Sequence, residues 1–183
     1  KLTNAHKEVD TGLSAWNLAM GSQELYDWLD AEPQLFHPGD LDYIHSVERI
    51  SKLSNVISIN GGVQLDLMGQ ENAESTGTRQ LSGVGGQMDF LEGAYRSKGG
   101  KGFICINSSR VTKDGERKSN ILATIPGGST ISAPRTMIQY VATEYGIASL
   151  SGKTLRERAE AMASIAHPDF REELMKYAQE NFK

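Results

Sequence analysis

The sequence predicts an α/β domain, a layered open sheet with flanking helices. Three observations carry this reading. Short β-branched or alternating runs recur at residues 56–59, 63–67, 103–106 and 138–143. Helical-period faces lie between the runs and fill the last third of the chain. Glycine- and proline-rich breaks separate the two kinds of segment, as layered α/β domains require.

Taken in order, residues 1–14 are polar around Gly12 and show no period. Residues 16–20 are apolar and read as a strand. Ser22 is placed to cap a short helix with Leu25, Trp28 and Leu29 on one face. Pro33 and Pro38-Gly39 mark a loop, in which His37 reads as a surface residue. Residues 43–52 read as another short helix with His45 near its start. Residues 56–59 form a strand broken by Asn60-Gly61-Gly62. Val63, Leu65 and Leu67 then alternate with Gln64 and Asp66, the period of a half-buried strand. Residues 69–77 read as a polar bend carrying Glu71 and Glu74.

Residues 82–90, Ser-Gly-Val-Gly-Gly-Gln-Met-Asp-Phe, organise the rest. Gly83, Gly85 and Gly86 allow positive φ and close backbone approach. They run into a helix with Leu91, Ala94 and Tyr95 on one face, whose first N–H groups lack internal partners. A dinucleotide fingerprint would need glycine where Met88 stands, and no Gly-Lys-Ser/Thr follows. Asp89 in the first turn suits the helix dipole and would repel phosphate, so a neutral polarised carbonyl is the better guest.

Residues 98–102 read as a turn, 103–106 as a buried strand, 113–119 as a charged hairpin tip and 121–125 as a strand closed by Pro126-Gly127-Gly128. A further strand, 138–143, ends in Glu144-Tyr145-Gly146. Thr154-Leu155-Arg156-Glu157 is a capping box, followed by an apolar face of Leu155, Ala159, Met162, Ala163 and Ala166. His167-Pro168-Asp169 ends that helix and starts the last one, whose stripe is Phe170, Leu174, Tyr177 and Ala178.

Composition excludes several classes. The 183 residues are 38% apolar and 23% charged with net charge −4, and no basic stripe with interleaved aromatics suits nucleic acid. No run approaches membrane-spanning length. The single Cys105 allows no disulfide framework and points to a reducing, cytoplasmic location. The four histidines lie far apart, and no metal-ligand spacing or serine elbow is present. Asp66, Glu71, Glu74, Asp89 and Glu144 lie near glycine breaks, but each singly is better read as solvated or structural. The opening Lys1-Leu2-Thr3-Asn4, without methionine, suggests a fragment.

Several motifs together resemble the acetyl-CoA hydrolase / 4-hydroxybutyrate CoA-transferase family of family I-type CoA-transferases. They are Ser58-Ile59-Asn60, residues 63–70 (Val-Gln-Leu-Asp-Leu-Met-Gly-Gln), the loop 82–90, and residues 141–146, 152–159 and 165–171. Gln87 after the double glycine is more similar to the 4-hydroxybutyrate and butyryl branch. The resemblance implies a C-terminal domain over residues 1–183 that lacks its first segment, with a CoA-transferase-like, NagB/RpiA-type sheet. It also implies pairing with an N-terminal domain of the same protein and a homo-oligomer. Coenzyme A and acyl-CoA are then substrates, with a small carboxylic acid as acceptor and neither metal nor covalent cofactor.

By the same resemblance, Gly86 meets the thioester, Val63 lines the CoA arm and Lys98 contacts CoA. His45 falls at the acyl-acid pocket, where relatives often carry asparagine. The family's nucleophilic glutamate stands shortly before the segment matching residues 1–7, and no glutamate of this chain takes that position. An acyl-CoA hydrolase is the alternative of the same class. A non-catalytic CoA-ester-binding or interaction domain is the alternative of another class.

Overall fold

The computed structural model describes residues 3–182, so Lys1 and Leu2 of the opening segment lie outside the described residues. In chain order the elements are β1 (Ser14–Trp16), α1 (Gln23–Ala31), β2 (Phe36–Pro38), α2 (Leu41–Ile44), α3 (Val47–Lys52), β3 (Ile57–Gly61), β4 (Gln64–Asp66), β5 (Glu71–Asn72), β6 (Ser75–Thr76) and β7 (Arg79–Gln80). They continue with α4 (Gln87–Arg96), β8 (Lys101–Cys105), β9 (Ser109–Val111), β10 (Arg117–Ser119), β11 (Ile121–Leu122), β12 (Tyr140–Thr143), β13 (Gly146–Ser149), α5 (Leu155–Ser164) and α6 (Pro168–Asn181).

The central sheet has the order β13-β12-β8-β3. β3, β8 and β12 are parallel, and β13 returns antiparallel on β12. α4 lies between β3 and β8 in the chain and packs on both, the crossover that parallel neighbours need. Smaller sheets surround this one: β11-β4-β5, the hairpins β9/β10 and β6/β7, and the parallel pair β1/β2.

One face of the central sheet carries the core. Ile104, Val141 and Ala148 point into it and are buried with Leu91 and Ala94 of α4 and Ala159, Met162 and Ala163 of α5. α6 adds Leu174 and Ala178. Leucine- or isoleucine-sized side chains removed from water here contribute about 2–3 kcal/mol each. The opposite face is bare: Ile57 is 51%, Ile59 68% and Ile147 64% exposed, and Phe103 stacks on Tyr140 at 4.8 Å. Cys105 lies exposed on the same face, two residues beyond Phe103.

The helix signals hold where they are local. The Thr154/Glu157 box forms in both directions, and Pro168 takes the first turn of α6 behind His167. Other expectations change. The strand at 16–20 is instead Ser14–Trp16, because Leu18 and Met20 have no layer to pack on and stay exposed. Ser22 precedes α1 without a side-chain cap bond, and α1 buries no residue fully. The helix at 43–52 is two, because Ser46 leaves α2 and caps α3 through Arg49 N. β3 runs on through Gly61, and β11 stops at Leu122. β13 begins at Gly146, where the residues signal only the end of the preceding strand.

β4 is not half-buried. It is the middle strand of its sheet, so Gln64 and Asp66 are buried with Leu65. Asp66 is satisfied by its own turn, accepting from Met68 N at 3.0 Å and from Gln70 N at 2.9 Å. Residues 69–77 are not a solvated bend either. They contain β5 and β6, and Glu71, Asn72, Glu74 and Ser75 are buried. Asn72 Oδ1 accepts from the N–H groups of Glu74 and Ser75, which lets this polar stretch turn inside the domain. Tyr95 and Leu155 sit on the outer sides of their helices and are exposed, although both fit an apolar stripe by spacing.

Candidate functional site

The carboxyl ends of parallel strands are where open α/β sheets leave a crevice. Here β3 ends at Gly61 and the chain later returns to that end as the glycine loop. Gly85 has φ +63°, a conformation that favours glycine, and Gly86 is the N-cap of α4 with φ −100°. No side chain caps the helix. Among the described residues the Gly86 N–H has no acceptor, while the Gly86 carbonyl accepts from Phe90 N at 3.2 Å. A free donor therefore stands at the positive end of a ten-residue helix.

His45 closes over this loop. Asp40 caps α2 through Tyr43 N at 2.9 Å and Ser46 caps α3, which leaves His45 at the break between them. Its ring packs edge-on to Phe90 with centroids 5.1 Å apart. Asn17 Nδ2 faces His45 Nε2 at 3.1 Å and donates to it, so the neutral ring carries its proton on Nδ1. That nitrogen lies 3.5 Å from Asp89 Oδ2 in the first turn of α4. A Cβ on Gly86 would overlap the imidazole ring. The backbone at Gly86 is glycine because of what approaches it, not because of its own φ. The depression between them measures about 490 Å³ and is lined by Leu41, Asp42, His45, Ser46, Gly85, Gly86 and Asp89.

Behind the loop lies Glu71, fully buried on β5. Its Oε2 accepts from Gln87 Nε2, on the residue that follows Gly86. Its Oε1 is buried with no hydrogen-bond partner among the described residues. A Cβ at Gly62 would stand only 2.8 Å from that oxygen, so the chain passes close over it. Burial pushes the Glu71 carboxyl up to about 8, the bond from Gln87 opposes this, and nearby Glu74 adds to it.

Glu144 is the opposite case. It is exposed at the end of β12, and Ser108 N and Oγ donate to its two oxygens at 2.9 and 2.6 Å. Burial works to raise this carboxyl, and the bonds from Ser108 outweigh it and hold the group below the usual range. With Gly62, Cys105 and Thr143 it borders a second depression of about 430 Å³.

Of the residues singled out in the sequence, the fold brings Gly86 and His45 into contact. Val63 is half-buried next to Gly62, and its N–H donates to Asn72 O at 2.9 Å, so it lies one residue from the cover of Glu71. Lys98 is elsewhere. It is exposed past the C-terminal end of α4, a helix about 15 Å long, and its carbonyl accepts from Asn55 N at 2.8 Å. Nothing in the residues neighbouring Glu71 signals its burial, which only the fold imposes. No cluster of three or more metal-ligating side chains occurs among the described residues.

The profile of the acetyl-CoA hydrolase/transferase C-terminal domain matches residues 21–178. The chain is 43% identical to a butyryl-CoA:acetate CoA-transferase of Anaerostipes caccae, covering 98% of this chain and 40% of that protein. It is 42% identical to a 4-hydroxybutyrate coenzyme A transferase of Clostridium kluyveri, covering 99% and 41%. An acetyl-CoA hydrolase of Kluyveromyces lactis is more distant, 30% identical over 86% of this chain and 29% of that protein. The crystal structure of RipA from Yersinia pestis superposes with TM-score 0.87 at 38% identity, over 98% of this chain and 39% of that one. The chain thus spans about two fifths of the length of the transferases it matches.

Proposed function

The chain belongs to the acetyl-CoA hydrolase/transferase family through its C-terminal domain, and from that premise we propose that the longer protein moves coenzyme A from an acyl-CoA to a small carboxylic acid. The observation that carries this is the Gly85–Gly86 loop, which offers a free backbone donor at the start of α4 inside a depression closed by His45. The higher identity to transferases than to a hydrolase supports transfer over hydrolysis.

In this reading a glutamate carboxylate supplied by the rest of the protein attacks the thioester carbonyl. CoA leaves as thiolate and an acyl-glutamyl anhydride remains. The thiolate then attacks the glutamyl carbonyl, releases the acyl group as a carboxylate and leaves a glutamyl-CoA thioester, which the acceptor acid resolves by the reverse steps. The Gly86 N–H donates to the oxygen on which charge develops. His45 borders the acyl group, Val63 the CoA arm, and Lys98 a phosphate-bearing part of CoA that reaches past α4. Glu71 is not a rival nucleophile, since its carboxyl is shut behind Gly62.

The bare sheet face supports the domain reading. Parallel strands are ordinarily covered on both sides. The proposed cover for Ile57, Ile59, Phe103 and Ile147 is the part of the longer protein outside this chain, in a NagB/RpiA-type domain of a homo-oligomer. Among the described residues no helix is long and apolar enough to cross a membrane, and an exposed free Cys105 suits a reducing cytoplasm.

The test gives the longer protein butyryl-CoA and labelled acetate. Labelled acetyl-CoA should form much faster than free CoA. Free CoA as the main product makes the protein a hydrolase, and CoA-ester binding without either product makes it a binding module. The 183-residue chain alone should form no label and no glutamyl-CoA adduct; an adduct on any of its glutamates would relocate the nucleophile.

A further inference from the structure

Gln87 does not point into the depression that Gly86 lines. Its side chain turns inward and donates to Glu71, fully buried on β5. β5 is itself fixed on both sides of Glu71. The Glu71 N–H donates to Ala133 O at 3.0 Å, its carbonyl accepts from Ser132 N at 2.8 Å, and it pairs with Leu65 on β4. The first residue of α4 is thereby tied to a rigid part of the fold, through a side chain that no local helix rule requires.

We propose that Glu71 is a positioning residue for the glycine loop, anchoring Gln87 and so fixing the direction of the Gly86 and Gln87 N–H groups. This rests on the reading of Gly86 as the donor to the reacting oxygen. Burial, not this bond, keeps Glu71 neutral: the Gln87 N–H alone would favour the carboxylate, and the loss of water outweighs it. Oε1 has no partner among the described residues, and an ionised carboxylate there would be an unpaired charge in the core.

Among the described residues the surroundings supply no cation. The residue after β3, Gly62, lies over it, β8 brings Ile104 and β4 brings Leu65. α4 brings the uncharged Gln87, while its Asp89 turns to His45. The β5–β6 segment brings Glu74, which disfavours the charge further. Above the range in which Glu71 holds its proton, near 8, the charge at Oε1 draws in water, and the cover that Gly62 forms over it must open. That opening loosens β5 behind the loop and the anchor it gives Gln87, so the site carries an alkaline limit set from behind it.

Two measurements test this. The first follows the Gly85 and Gly86 amide resonances of the glycine-labelled chain against pH. They should shift with a midpoint near 8, and Glu71→Gln, neutral at every pH, should abolish that transition. The second follows acyl exchange in the longer protein. Wild-type kcat should fall about tenfold per pH unit above the midpoint, with KM little changed, and Glu71→Gln should stay flat over the same range. Glu71→Leu, which keeps bulk and removes the anchor, should lower kcat about tenfold at neutral pH.

A transition of the same midpoint in Glu71→Gln would assign it to another group and overturn the proposal. So would a folded Glu71→Leu protein with wild-type kcat. If Glu71→Leu does not fold, the Gln variant decides. If the longer protein transfers no CoA at all, the functional reading fails, while the amide titration still judges Glu71.

Discussion

Two Gly-Gly pairs bracket α4, Gly85-Gly86 before it and Gly99-Gly100 after it, and in the sequence they look alike. In the fold they do different things. At the N-terminal end the absent Cβ of Gly86 leaves room for the His45 ring, beside a depression and a free N–H. At the C-terminal end the absent Cβ of Gly100 leaves room for the carbonyl of Ala94, a backbone atom of the helix itself. Gly99 with φ +75° makes the turn that sends the chain into β8. One pair accommodates a side chain that a ligand can share; the other accommodates main chain that cannot move. The dipeptide marks close approach in both places, and only its neighbour tells whether the approach serves a site or a turn.

The largest effect expected comes from Glu71, behind the N-terminal pair. Its folded pKa lies above the ordinary carboxylate value, so the folded chain binds the extra proton between about pH 4.5 and 8. Its contribution is complete below that window and is lost as pH rises through it, on the order of 5 kcal/mol in all. Urea denaturation of wild type and Glu71→Gln across this range should diverge steadily. Parallel curves would mean that Glu71 is solvated or paired in solution.

Next is Gly100→Ala, which sets a methyl group against immovable backbone. A loss of about 3 kcal/mol is expected, read as a fall in the urea midpoint. A loss below 1 kcal/mol would remove the distinction between the two pairs. Gly86→Ala meets a ring that can rotate, so the same measurement should show a smaller change. Its effect should appear instead in the longer protein, as a fall in kcat on the order of 100-fold. Gly86→Ala combined with His45→Ala should recover part of that fall if the clash displaces the donor. No recovery would place the cause in the backbone at residue 86.

The smallest effect is Lys98→Ala at the far end of the helix. An exposed lysine on a phosphate contributes about 0.2–1 kcal/mol, a few-fold in Kd. The loss should appear with CoA esters and be absent with acyl-pantetheine. Equal loss for both would make the C-terminal end of α4 part of the reaction end of the site.

Much of this was legible in the residues. The capping box at Thr154, the helix start at Pro168 and the helix after the glycine loop rest on contacts within about four positions, which a sequence displays directly. The strands expected at 103–106 and 138–143 form as β8 and β12, but their parallel pairing joins segments about 40 residues apart, and β8 is covered on one face only, with Cys105 exposed. The limits of that reading are as physical. Residues 69–77 are polar, and polarity reads as solvent exposure unless each group has a partner. Here Asn72 supplies partners from within the stretch, and Ser132 and Gln87 supply them from two distant segments. Tyr95 and Leu155 fit apolar stripes by spacing, yet face away from the packed layer.

The sequence by itself determined the α/β class, the loop that opens onto α4 and the residues that mark its family, because propensity, capping and glycine content are properties of neighbours. Tertiary structure alone decided that Gly86 is glycine on account of His45, that Glu71 is buried under Gly62 and tied to Gln87, and that Lys98 stands a helix length from the loop. These depend on which distant segments fold against one another. Burial and charge stabilisation are set by the atoms that surround a group in space, and a linear order of residues does not state which atoms those are.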